Sequence, residues 1–313
     1  MRVAVLTGAG SRVVMPLIDN GFNVVGIAGL VDRYAGLSTI DRIITNCYWY
    51  CCKFSGPPYV SRIARTRGIP YLDLQNRIDS GLADWLRGLK PDILVVYASP
   101  LLPPEIFTIP VHGSINMHPS LLPGYRGAHP ILWMHYHMDR NGGVTIHRID
   151  EGVDSGDILA QAGFRIPLGA SESAVERVAI DELGMPLLME TLRRIERGEQ
   201  WALKNKHACF SGMCRRVTPE EFRQLVDWSS WDISHVWHVL NCTDHWQSVY
   251  LPDGLKRSYR TWRIGAIDHC ATSPPHGVVL RDSSGYYLNH KDGKIRIDYR
   301  ISFKRLVKAA LRK

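Results

Sequence analysis

Residues 2–28 read RVAVLTGAGSRVVMPLIDNGFNVVGIA. "RVAVLTG" is a short apolar run ending in glycine, "SRVVMPLIDNG" carries apolar residues at helical spacing as far as Gly21, and "FNVVGIA" is a second run of strand length. Two strands joined through a helix lie parallel, so this unit predicts a parallel sheet covered by helices. The pattern continues downstream. "IPYL" (69–72) is flanked by helical segments between Tyr59 and Leu89, and "DILVVYA" (92–98) is apolar throughout, as a strand covered on both faces must be.

After "GSINM" (113–117) come "GGVTIHRID" (142–150) and "DILAQAGFRI" (157–166), two strands joined too tightly for a crossover helix and so expected to be antiparallel. An amphipathic run, Ser173 to Gly198, predicts a long helix that closes the unit. From about His207 the texture changes to "VDWSSWDISHVWHVLN" (226–241) and then short β-like pieces split by "PDG", "SPPHG", "DSSG" and "KDG" turns. The expected architecture is α/β: a Rossmann-like, mostly parallel sheet with helices on both faces over residues 1–205, then a small OB-like β-barrel over 206–313. Trp228, Trp231, Trp237 and Trp246 are its expected core.

A 313-residue chain with 45% hydrophobic and 22% charged residues has room for these two domains. No apolar run reaches the roughly 18 to 20 residues of a bilayer span, and the start lacks a signal-peptide layout, so a cytoplasmic protein is expected. Seven cysteines, with Cys47, Cys51 and Cys52 lacking the paired spacing of a zinc site, read as reduced thiols with no metal. The net charge of +8 fits nucleic acid, a nucleotide diphosphate, folate or a membrane surface, and does not separate them. The cationic end "SFKRLVKAALRK" (302–313) reads as a solvated helix end, with an anion or membrane contact as the alternative.

Three stretches have chemical potential. Gly8 to Arg12 lies at the turn from the first strand into the first helix, where backbone amides and Arg12 make either an anion site or a plain tight turn. A third dinucleotide-fingerprint glycine is missing and no acid ends the second strand, which argues against NAD. In "SINMHPSLLPGYRGAHP" (114–130), Asn116 and His118 are two apart, so on a strand they face one side and can converge on one substrate oxygen. A capping Asn beside a loop His is the alternative. "DEGVDSGD" (150–157) gathers Asp150, Glu151, Asp154 and Asp157 at a spacing unlike an EF-hand loop. It is either an acidic turn or the source of a carboxylate that orients His118, raises its pKa and takes a proton from an attacking amine.

Taken together, "SINMHPSLLPGYRGAHPI" and "GGVTIHRIDEGVDSGDIL" resemble the folate-dependent formyltransferases, which include glycinamide ribonucleotide transformylase, methionyl-tRNA formyltransferase and sugar N-formyltransferases. The likeness extends more loosely over residues 1 to about 200. It implies N10-formyltetrahydrofolate as co-substrate, no metal, and Asn116, His118 and Asp154 as the catalytic set. In that chemistry a neutral primary amine attacks the formyl carbon, Asn116 and protonated His118 donate to the growing oxyanion, and Asp154 holds His118. One such donor is worth about 3 kcal/mol. "DILVVYASPLLPPEIF" (92–107) is similar to the strand and loop that embrace the pteridine, which implies contacts from Ser99, Leu101 and Leu102. The turn Ile149, Asp150, Gly152, Val153 would cover its other side. "VDWSSWDISHVWHVLNCT" and the strands after it are similar to the carboxyl-terminal domain of the tRNA enzymes and of some sugar enzymes.

The acceptor is read from two departures. "TGAGSR" is closer to the phosphate-gripping turn of the ribonucleotide transformylase than to the tRNA enzyme, which makes Gly8, Gly10, Ser11, Arg12 and Tyr125 the expected acceptor contacts. Residues 29–58 carry Asp32, Arg33, Asp41, Arg42 and Lys53, a net of only +1, where a duplex-binding wedge needs several cations. A nucleotide-linked amino sugar is therefore the first expectation and methionyl-tRNA the alternative, with a non-catalytic folate binder and a folate hydrolase as further readings. Pairing two chains and extending the acceptor site are both roles open to the second domain.

Overall fold

In a computed structural model of the chain, the described residues are 1–8, 12–30, 60–74, 78, 80–205, 213–255 and 260–301. Gly10, Ser11, the aromatic and cysteine-rich stretch 45–56, and the cationic end 302–313 lie outside them.

The amino-terminal sheet has seven strands: β1 (Arg2–Thr7), β2 (Asn23–Gly29), β3 (Tyr71–Asp73), β4 (Ile93–Tyr97), β5 (Ser114–His118), β6 (Asn141–Arg148) and β7 (Ile158–Arg165). Their order is β3-β2-β1-β4-β5-β6-β7. The pairs from β3 through β5 are parallel, and β6 joins β5 antiparallel. This is the mostly parallel sheet that the β-α-β alternation predicts.

Alternation along β1 shows how the sheet is covered. Val3 and Val5 enter one apolar cluster with Leu17 of helix α1 (Val14–Asp19), Ile63 of α2 (Val60–Arg67) and Leu188 further on. Ala4 and Leu6 enter the opposite cluster with Leu82 and Leu86 of α3 (Ser80–Leu89) and Ile106 of α4 (Pro104–Phe107). Successive side chains point to opposite faces, so a strand with helices on both sides must be apolar at every position.

The helix expected over Ser173–Gly198 is present over 172–196 and widens in its middle. It is assembled from α6 (Glu172–Glu176), a π-helical stretch Arg177–Gly184, and α7 (Met185–Glu196), with α5 (Pro130–Tyr136) earlier in the chain. Pro186 follows directly on the widened stretch, where a residue that lacks an N–H and crowds the carbonyl four residues back is accommodated. At Gly184 a Cβ would lie 2.7 Å from Met117 Sδ, so the chain presses close to the sheet at that point.

The molecule divides into two compact units, one of residues 1–127, 142–164 and 176–213, the other of 128–141, 165–175 and 214–313. The second unit holds α8 (Pro219–Leu225), α9 (Ile233–Cys242), α10 (His245–Tyr250) and an antiparallel sheet of β8 (Arg260–Asp268), β9 (Val279–Asp282), β10 (Gly285–His290) and β11 (Gly293–Ile301). The strand order β8-β11-β10-β9 fits a small barrel-like domain. Of the four expected core tryptophans only Trp246 is fully buried; Trp262 is buried as well. Trp228, Trp231 and Trp237 are half-buried; the indole nitrogens of Trp228 and Trp237 donate to the Tyr250 hydroxyl and the Gly265 carbonyl, and the Trp231 ring stacks on His235.

Candidate functional site

Strand β5 carries Asn116 and His118 to the carboxyl edge of the parallel strands, the edge where open α/β sheets place their sites. Asn116 lies opposite Val96 of β4 on one side and His147 of β6 on the other. Beyond β6 the chain turns back through residues 149–157 and brings in Asp154. The structure therefore assembles all three residues, with a second histidine among them.

The contacts are dense. Asn116 Nδ2 donates to Asp154 Oδ1 at 3.2 Å and lies 3.1 Å from His147 Nε2. The Gly127 N–H donates to Asp154 Oδ2 at 2.9 Å, and His118 Nδ1 stands 3.5 Å from that same oxygen. On its other side His118 Nε2 lies 2.9 Å from the Tyr125 carbonyl. Both ring nitrogens of His118 thus face oxygen acceptors, an arrangement that suits the charged ring.

Burial nevertheless pushes His118 below its ordinary pKa, more strongly than the Asp154 carboxylate pulls it up. The expected upward pull of the carboxylate is present, but the pocket is closed enough for desolvation to prevail, so the net shift is downward. Burial alone would raise Asp154 too. There the His118 and His147 rings and the Gly127 amide prevail and hold the carboxyl well below the usual carboxylate range.

The acid's position depends on its loop. Asp154 adopts a left-handed backbone, φ 46°, and Asn205 Nδ2 donates to the Asp154 carbonyl at 2.8 Å and the Gly156 carbonyl at 3.0 Å. At Gly156 a Cβ would fall 1.9 Å from the Arg148 carbonyl, so only glycine lets the loop return this close to β6. The loop after β5 is tied down by the buried Thr145 hydroxyl, which donates to the Ser120 carbonyl at 2.6 Å and accepts from the Leu122 N–H at 3.0 Å. Gln161 adds a bond to the Leu122 carbonyl at 2.7 Å.

The expected pteridine contacts separate by burial. Leu101 is 60% exposed, Ser99 is half-buried, and Leu102 is packed into the cluster of Leu6, Val96 and Ile106, against which Ile149 also packs. Leu102 and Ile149, one from each loop, thus pack on the same apolar cluster. Asp150 Oδ1 accepts from Ser155 Oγ at 2.6 Å and the Gly152 N–H at 3.1 Å, which shapes the turn that carries Val153.

Of the expected acceptor contacts, Gly8, Arg12 and Tyr125 lie among the described residues. The Gly8 N–H donates to the Tyr97 carbonyl at 3.1 Å, and a Cβ on Gly8 would lie 2.3 Å from the Ala98 carbonyl oxygen. Arg12 pairs with Glu176 at 2.9 Å and Asp181 at 3.1 Å, and Tyr97 donates its hydroxyl to the same Glu176 at 2.6 Å. The glycine serves close packing and the cation braces α6. Tyr125, with φ 58°, contributes its carbonyl to His118.

A formyl transferase family model matches residues 55–191. A methionyl-tRNA formyltransferase of Geobacter metallireducens is 30% identical over 287 residues, covering 90% of this chain and 84% of its own length. Another, of Citrifermentans bemidjiense, is 35% identical over 211 residues, which span 65% of this chain and 64% of that relative. Among solved structures, the sugar 3N-formyl transferase WlaRD, determined in the presence of dTDP and 5-N-formyl-THF, superposes with a TM-score of 0.58 at 14% identity over 96% of this chain and 97% of that one. The chain belongs to the formyl transferase family.

Proposed function

We propose that the protein transfers the formyl group of N10-formyltetrahydrofolate to the amino group of methionyl-tRNA, with Asn116, His118 and Asp154 as the reacting constellation. The observation that carries the reaction class is the convergence of these three side chains in a chain of this family. The residues' states fit amine attack. The His118–Asp154 pair can take up the proton that the attacking nitrogen must lose, and a charged His118 ring has the Tyr125 carbonyl and the Asp154 carboxylate facing its two nitrogens. Asp154 stays ionised and supplies the countercharge.

The tRNA acceptor is favoured by the end-to-end relationship to the Geobacter enzyme and by where the charge lies. Residues 206–313 hold 18 Lys and Arg against 10 Asp and Glu, so this part carries the whole formal +8 of the chain. A surplus of that kind suits a polyanion. A cytoplasmic setting follows from that substrate.

A second reading keeps the nucleotide-linked amino sugar. Its support is the net charge of only +1 over residues 29–58 and the fold shared with the sugar enzyme along nearly the whole of both chains. In the free protein Arg12 is paired with Glu176 and Asp181, so the Gly8 to Arg12 turn adds little to that support.

The deciding assay follows tetrahydrofolate release with charged initiator tRNA and with a panel of nucleotide-linked amino sugars. Turnover with tRNA that weakens steeply between about 50 and 200 mM salt, as expected for several phosphate contacts, supports the first reading. Turnover with an amino sugar alone replaces it with the second. Formate release without any amine would make the protein a hydrolase.

A further inference from the structure

Arg12 and Arg126 sit in surroundings that differ in kind. Arg12 is held by two carboxylates, Glu176 and Asp181, which neutralise it. Arg126 is held by neutral oxygens: its Nη2 donates to the Asn205 carbonyl at 2.9 Å and to Asn205 Oδ1 at 2.8 Å. Its Nε is buried without a partner, and among the described residues no carboxylate pairs with it. A guanidinium is a permanent cation, so Arg126 keeps its full charge while Asn205 fixes its orientation. That is the condition of a preorganised anion site: the side chain is ordered before a ligand arrives, and no competing acid has to be displaced.

Its place in the chain sets it beside the chemistry. The Tyr125 carbonyl lies 2.9 Å from His118 Nε2, and the Gly127 N–H donates to Asp154 Oδ2 at 2.9 Å, so both neighbours of Arg126 touch the reacting set. Tyr125 holds a left-handed backbone, φ 58°, at this turn. Asn205 anchors the acid's loop as well, through Nδ2 to the Asp154 and Gly156 carbonyls. The cation is thereby locked to both loops that carry the reaction, and it is only half-buried.

We infer that Arg126 is the anion contact for the acceptor, binding the phosphate nearest the amine that is formylated. The inference rests on the proposed transfer to a phosphate-bearing amine and serves either acceptor, because a terminal phosphodiester of charged tRNA and the diphosphate of a nucleotide-linked amino sugar each lie a sugar ring or so from the amine. An anion brought this close to the ionised Asp154 is repelled unless a cation stands on the same side, and Arg126 supplies that cation.

The test uses the full chain as wild type, Arg126→Gln and Arg126→Lys. Inorganic pyrophosphate is first titrated calorimetrically into the free protein at low salt. Affinity should fall at least tenfold in Arg126→Gln and less in Arg126→Lys, which keeps the charge and loses the planar fork. No binding to the wild type, or equal affinity in wild type and Arg126→Gln, overturns the site whether or not the protein transfers formyl groups.

Kinetics then locate the anion. Arg126→Gln should raise the acceptor KM at least tenfold and move the folate KM less than twofold. If the acceptor is tRNA, the slope of log KM against log salt should shrink by about 0.7 to 0.9, the share of one phosphate. If it is an amino sugar, the free nucleoside diphosphate should compete with it in the wild type at least tenfold better than in Arg126→Gln. A rise in the folate KM alone would give the cation to the co-substrate's carboxylates, and a fall in kcat with both KM values unchanged would make Arg126 a structural clip; either result overturns the inference. Should Arg126→Gln fail to fold, Arg126→Lys carries the same comparisons at threefold or more. A wild-type protein that turns over no amine removes the proposed function, while the pyrophosphate titration still decides the site.

Discussion

Gly127 donates its backbone N–H to Asp154 Oδ2 at 2.9 Å, and Asn116 donates to the other oxygen of the same carboxylate. The acid is thereby fixed by donors that an amide of the same shape cannot satisfy, since one of its two atoms would turn N–H toward N–H. Asp154→Asn is a clean probe because asparagine tolerates the left-handed backbone found at this position. The variant should fold with a somewhat lower melting temperature than the wild type and lose on the order of 10²- to 10³-fold in kcat. An unchanged kcat would take Asp154 out of the reaction.

The loop that carries this acid depends on a glycine with no room for a methyl group. Gly156→Ala would force a Cβ to within 1.9 Å of the Arg148 carbonyl, a backbone atom of β6 that cannot move without tearing the strand. A loss of about 2 kcal/mol or more is expected, together with a fall in activity as Asp154 shifts. Gly88, near the end of α3, is the control: a methyl group there would meet nothing within 4 Å. Gly88→Ala should stabilise the fold by about 0.5 to 1 kcal/mol. Chemical denaturation of both variants checks the contrast, and a destabilised Gly88→Ala would count against it.

These two glycines also mark what the sequence can and cannot disclose. The strands β1, β2, β4 and β5 are legible because each buries both faces, and that demand leaves an apolar run. Asn116 and His118 are legible as polar residues interrupting such a run at a sheet edge. His147 is not, because "GGVTIHRID" reads as one more strand and the pairing of His147 with Asn116 depends on the register between β5 and β6. Thr145 and Gln161 are hidden for the same reason. The π-helical stretch is hidden because apolar spacing near 3.6 residues survives a local widening of the helix. Arg12 misleads in the opposite sense: a cation beside a glycine turn reads as an anion site until Glu176 and Asp181, more than 160 residues away, are placed against it.

A histidine outside the reacting set should govern acid stability. His238 is fully buried, its Nδ1 accepts the Gly169 N–H at 2.8 Å, and its ring stacks on His135 with 4.1 Å between centroids. Burial, with His135, Arg140 and His235 adding like charge, holds its pKa down to about 3. The unfolded chain, titrating near the ordinary 6.5, binds this proton more readily, so the stabilisation is complete above pH 6.5 and is lost as pH falls from there toward 3. His118 and His135 are shifted the same way and add to the slope. Thermal unfolding should show a melting temperature that drops between pH 7.5 and 5, and a smaller drop for His238→Gln, whose side-chain oxygen can still accept from Gly169. Parallel curves for the two proteins would show that His238 carries none of the effect.

The brace at Arg12 makes a separable prediction about the acceptor. If its guanidinium is committed to Glu176, then Arg12→Gln and Glu176→Gln should each destabilise the protein, and the double variant should lose less than the two losses combined. A coupling of about 1 to 2 kcal/mol is expected for a partly buried pair of this kind. The KM for the acceptor should stay within about threefold of the wild type in all three variants, because Tyr97 and α6 sense the change before any substrate does. A phosphate grip would give the reverse pattern: Arg12→Gln would raise the acceptor KM tenfold or more, Glu176→Gln would lower it by freeing the cation, and the stability coupling would be absent. Denaturation midpoints and acceptor KM measured on the same four proteins therefore separate a structural arginine from a substrate-binding one.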